Sequence, residues 1–98
     1  MIYLSGPISN PDPVQIKNNL NLMHQKARDL RARGLEIFNP AESEEKEARS
    51  WEYYLIRDLI WIYNNRPALY FMKGWENSRG CRLEHEISAV LALPREYE

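Results

Sequence analysis

Arg66-Pro67-Ala68-Leu69-Tyr70-Phe71-Met72-Lys73-Gly74-Trp75-Glu76-Asn77-Ser78-Arg79-Gly80-Cys81-Arg82-Leu83-Glu84 changes character twice along its length. Ala68 to Met72 is an unbroken apolar run of strand length, closed by a loop from Lys73 to Asn77 that carries Gly74 and Trp75. Ser78 then supplies a helix cap, and Leu83, Ile87, Val90 and Leu91 recur at helical spacing before Pro94 stops the segment. Strand, loop and helix in that order are one half of a parallel β-α unit.

The same signals repeat toward the amino terminus. Ser50 caps a helix running to about Asn64, with Leu55, Leu59, Ile62 and Tyr63 on a shared face and the Asn64 to Pro67 cluster ending it. Leu35 to Phe38 is a short strand cut off by Asn39-Pro40. Between them Glu42 to Arg49 is acidic and featureless, a solvated and mobile loop or a short exposed helix. Asp12 and Pro13 open another helix, whose Ile16, Leu20, Met23, Ala27 and Leu30 repeat until Gly34. Met1 to Leu4 is the first strand, stopped by Ser5-Gly6-Pro7. The resulting β-α-β-α-β-α order calls for a short parallel sheet covered on both faces, an α/β three-layer sandwich. A ligand then lies beyond the carboxyl ends of the strands, where the loops Ser5 to Asn10, Asn39 to Ser50 and Lys73 to Ser78 meet.

Composition sets the limits. Ninety-eight residues build a single domain, residues 1–98, and 44% apolar against 28% charged residues is the balance of a globular protein rather than a disordered one. Thirteen basic against fourteen acidic side chains leave a charge of −1, so no general field recruits a nucleic-acid polymer. Cys81 is the single cysteine, which removes a disulfide scaffold and a cysteine-rich zinc site and fits a reducing cytoplasm. No apolar run reaches the ~20 residues that span a bilayer. Met1 to Ser9 lacks the basic lead of a signal peptide, so the expectation is a cytoplasmic protein without a membrane partner.

The start of the last helix is the first place to look for chemistry. Ser78 and Gly80 stand where a helix end offers N–H groups to an anion. Glu84 precedes Ile87 and Leu91 by three and seven residues and so borders the apolar face, although a surface network with Arg82 or His85 is the blander explanation. Gly6 ends the first strand where backbone can approach a ligand. Tyr3 is placed to hold Glu84 through its hydroxyl, or is a core aromatic with one polar end. Asp58 sits among Leu55, Leu59 and Ile62, either as a buried acid or as a neighbour of Arg57 on a wet face. Trp51, Tyr54, Trp61 and Trp75 form an aromatic set of core or subunit contacts, with Trp75 placed to stack on a flat base.

Tyr3-Leu4-Ser5-Gly6-Pro7, Phe38-Asn39-Pro40-Ala41, Arg57-Asp58-Leu59 and, above all, Gly74 to Gly80 leading to Glu84-His85-Glu86 resemble the nucleoside 2-deoxyribosyltransferase-like superfamily, in particular its small phage and bacterial branch, the DUF4406 group. The resemblance covers nearly the whole chain and implies a flavodoxin-like, Rossmann-like sheet. It also implies cleavage or transfer of the N-glycosidic bond of a deoxyribonucleoside or its 5′-monophosphate. On that likeness Glu84 matches the nucleophile, Tyr3 the tyrosine that orients it, and Asp58 the acid that contacts sugar or assists the departing base. Gly6 matches the sugar or phosphate loop, with Ser5 beside it, and Ser78 and Gly80 match the segment near the 5′-phosphate. Ser9 stands where nucleotide-hydrolysing relatives carry an arginine, and Asn10 where they have glycine; Arg79 and Arg82 are candidate replacements for that cation. The expected partner is a small nucleoside or nucleotide, with no metal or other cofactor, in a homo-oligomer that completes the cleft. The alternative is a protein that binds or sequesters a nucleotide in the same cleft without turning it over.

Overall fold

Each helix begins at a cap that the sequence supplies. Asp12 accepts from the Val14 N–H ahead of α1 (Pro13–Ala32), Ser50 from Tyr53 ahead of α2 (Trp51–Asn65), and Ser78 from Cys81 ahead of α3 (Arg79–Val90). The computed structural model describes residues 1–43 and 49–98. Its strands are β1 (Ile2–Ser5), β2 (Ile37–Phe38), β3 (Ala68–Phe71) and β4 (Arg95–Tyr97), all parallel, in the order β2-β1-β3-β4. This is a small flavodoxin-like α/β sandwich, and its order reverses between β1 and β3, where such sheets open a crevice at their carboxyl ends.

Strand periodicity sorts the core into two layers. Leu4 turns to one face and packs with Met23, Ala27 and Leu30 of α1 together with Ile37 and Met72. Tyr3 turns to the other, with Ile62 of α2, Leu69 and Phe71 of β3, Leu93, and the partly buried Ile87 and Leu91 of the α3 end. Burial of such apolar side chains stabilises the fold by about 1.5–3 kcal/mol each. Tyr3 and Ser5, two residues apart, therefore both look toward α2 and α3.

The structure corrects four readings. A fourth strand, β4, completes the chain; Arg95, Glu96 and Tyr97 are all exposed, so an edge strand with two charges carried no apolar pattern to read. The buried stripe of α3 is Cys81, Glu84 and Ser88, while Val90 is 77% exposed, because two residues beyond Ser88 it stands about 200° around the helix, on the opposite face. Tyr63 is 55% exposed, outside the buried face that Ile62 anchors. Glu42 is not featureless: it ends a 3-10 turn, Pro40–Glu42, and takes Arg31 Nη1 and Nη2 on its two oxygens at 2.7 Å. The remainder of the acidic stretch, 44–48, lies outside the described residues.

Candidate active site

β1 and α3 meet at a carboxylate. Glu84 is only 7% exposed, and both of its oxygens are engaged from β1: the Tyr3 hydroxyl donates to Oε2 and Ser5 Oγ donates to Oε1 at 2.7 Å. Tyr3 and Ser5 are themselves buried, so these donors are fixed by the packing of the sheet. Neither rival partner serves Glu84. Arg82 Nη1 donates to the Glu76 carbonyl at 2.9 Å, and His85 Nε2 meets the Tyr97 hydroxyl at 2.6 Å.

Asp58 approaches from α2. Its Oδ1 accepts from Arg57 Nε and Nη2, both at 3.0 Å, yet its side chain is only 14% exposed, so the pairing with Arg57 is there but on a largely buried acid and not on a wet face. Burial raises the Asp58 carboxyl above its ordinary range, against the pull of Arg57 and of a hydrogen bond with Tyr3. Burial also pushes Glu84 up, to about 7; its two hydroxyl donors oppose the rise and the charge of Asp58 adds to it. The Tyr3 hydroxyl, buried between two acids, is held well above its usual value. Cys81 is raised to about 11 by burial and by Glu84, which leaves an inert thiol at neutral pH.

These groups face a cleft of about 450 Å³. Tyr3, Gly6 and Ser9 form one wall, Trp51, Tyr54, Leu55 and Asp58 another, and Ser78, Gly80, Cys81 and Glu84 the third. Ser5 stands behind Glu84 rather than on the surface of the cleft. A Cβ on Gly6 would come within 2.7 Å of Met72 Sδ, so the glycine lets the loop lie flat on the α1 layer. A smaller recess of Ser9, Asn10, Pro11, Trp51 and Arg79 adjoins the cleft, with the Arg79 guanidinium 5.2 Å over the Trp51 ring.

Trp75 is a correction. Gly74, at φ 90°, starts the 3-10 turn Trp75–Asn77 and sends the indole back over the sheet end, where it stacks on His85 at 4.4 Å and tilts on Phe71 at 5.1 Å. It does not line the cleft, and the aromatic wall is Trp51 and Tyr54 instead. The sequence signal for that wall was the spacing 51, 54, 55 and 58, a single helical stripe that ends on the acid.

Gly80 separates fold from site. A Cβ there would find Leu55 and Trp51 at 3.8 Å, ordinary contact distance. Gly80→Ala should therefore keep or raise thermal stability, by up to about 1 kcal/mol from helix propensity, while narrowing the cleft and weakening ligand binding. Parallel melting and binding measurements check this; a variant that melts earlier would mean the glycine serves the backbone.

Among the described residues, no group of His, Cys, Asp and Glu is placed to hold a metal ion, and no helix is long and apolar enough to cross a membrane. Neither a curated protein nor a solved structure matches the chain. Residues 1–96 match the family described as a domain of unknown function, DUF4406, a span that takes in the sheet but for the last residue of β4 and all of the cleft with Asp58 and Glu84. The chain belongs to the DUF4406 family.

Proposed function

We propose that this protein cleaves or transfers the N-glycosidic bond of a deoxyribonucleoside or its 5′-monophosphate, with Glu84 as nucleophile and Asp58 as acid. The observation that carries the reading is the buried Glu84, held on both oxygens by Tyr3 and Ser5 on the wall of a cleft that also contains Asp58. The choice of a deoxyribosyl substrate rests on the resemblance to the nucleoside 2-deoxyribosyltransferase-like superfamily.

The hydroxyl of Tyr3 has one proton and two carboxylates within its influence. Burial raises both carboxyls, so the two acids are suited to share a proton across this hydroxyl, and the reactive form is the one in which Asp58 carries it. The pair then holds one extra proton, with Asp58 neutral and Glu84 ionised. In that form a Glu84 oxygen bonds to the anomeric carbon as the C–N bond breaks. The bond's electron pair leaves with the base, and Asp58 gives the base its proton. Water, or a second base, then attacks the same carbon, releases Glu84 and returns a proton to Asp58. The fixed hydroxyl donors keep Glu84 oriented throughout, so little reorganisation is needed at the moment of reaction.

Incubation with each deoxynucleoside and each 5′-monophosphate, with free base followed by chromatography, tests the reading. Release by the wild type and none by Glu84→Ala is the expected result. Release that survives in the variant removes Glu84 as nucleophile. Tight binding without release makes the cleft a nucleotide-sequestering site.

A further inference from the structure

Helix α2 is apolar on two sides. Its inner side lines the cleft and the core, but Tyr53, Ile56, Ile60 and Tyr63 stand 41%, 55%, 54% and 55% exposed on the outer side. They form a continuous stripe about 15 Å long, of the kind that monomeric proteins seldom leave to water. The order of the stripe is distinctive. Tyrosine, isoleucine, isoleucine and tyrosine follow at steps of three, four and three, the same read in either direction.

We infer that this stripe is a two-fold interface between copies of the chain, formed by antiparallel packing of α2 on α2. A two-fold contact requires that residue i meet residue j while j meets i. With the axis level with Asp58, Tyr53 falls against the partner's Tyr63 and Ile56 against the partner's Ile60, and the same pairs recur on the other side. Charge selects the antiparallel arrangement. Glu52 lies in the first turn and Arg66 caps the last, so antiparallel packing brings Glu52 to the partner's Arg66 twice, offset by about 3 Å along the axis. Arg66 spends its Nε on the Tyr63 carbonyl at 2.9 Å, and its Nη groups are donors for the partner's carboxylate. Parallel packing would instead set Glu52 against its own copy and Arg66 against its own. Because the stripe shares a helix with Trp51, Tyr54 and Asp58, the pair also braces one wall of each cleft.

Sedimentation equilibrium on the full chain tests the pairing. The wild type at ~50 µM is expected at twice the 11.7 kDa chain mass, and Ile56→Glu with Ile60→Glu at the chain mass, association weakening by about 100-fold or more. Both positions are exposed, and an unchanged far-UV circular dichroism spectrum shows that the variant has folded. Glu52→Arg or Arg66→Glu alone should weaken the dimer by about 10-fold, and the two together should restore it. A monomeric wild type leaves the stripe to some other partner and overturns the inference. So does a dimer indifferent to the isoleucine changes, or charge reversals that add instead of cancelling.

Discussion

Glu84→Gln is expected to eliminate base release and, above pH 7, to make the folded protein more stable. The two effects have one origin. Glu84 titrates near 7 when folded because it is buried, against an ordinary value of 4.5. The folded chain keeps a proton that the unfolded chain gives up, so stability falls as pH rises from about 4.5 to about 7 and stays at the lower level beyond. A shift of this size corresponds to about 3 kcal/mol at most. Glutamine carries no charge to bury and can still accept a hydrogen bond through its carbonyl oxygen, so it escapes that penalty. On the proposed mechanism its loss as a nucleophile should lower activity by about 10³-fold or more. Melting curves of wild type and variant at pH 4.5 and pH 8 separate the claims. The curves should nearly coincide at the lower pH and diverge at the higher, with the variant melting later. A variant that melts earlier at pH 8 would mean that Tyr3 and Ser5 stabilise the ionised carboxylate by more than its burial costs.

Much of this arrangement was legible in the sequence because it rests on local rules. The caps Asp12, Ser50 and Ser78 and the stops at Gly34 and Pro67 mark helix ends by backbone chemistry alone, and they fix the order of strands and helices. Glu84 stood out because a carboxylate bordered an apolar helical face. Its actual partners, on a strand about eighty positions away, follow only from the pairing of β1 with β3 and the seating of α3 on them. What the sequence withheld depends on tertiary position. β4 is polar and forms only because β3 offers it an edge, with Leu69 N–H donating to the Pro94 carbonyl and Glu98 N–H to that of Phe71. The aromatic residues were harder still, since composition cannot tell a ring facing a cleft from one folded back over a strand. One glycine at positive φ, Gly74, decided that for Trp75. The exposed α2 stripe was read in part as core, as Tyr63 shows, because apolar periodicity reports a face without saying whether the same chain or another covers it.

Asp58→Asn should change the shape of the pH–rate profile as well as its height. If the reactive form holds one proton shared across Glu84, Tyr3 and Asp58, wild-type activity rises as the pair loses its first proton and falls as it loses the second, both steps moved upward by burial. The profile is then a bell whose alkaline limb belongs to the acid. Asparagine cannot donate that proton, so activity drops by about 10²- to 10⁴-fold and the alkaline limb disappears. What remains rises to a plateau as Glu84 ionises. The size of the loss should follow the leaving group: large for a natural base that needs protonation, small for an aryl deoxyriboside whose phenol departs unprotonated. Equal losses on both substrates would transfer Asp58 from proton donor to sugar contact. A wild-type profile that climbs through 7 to a plateau would do the same, since it leaves Glu84 to ionise alone and the shared proton without a task.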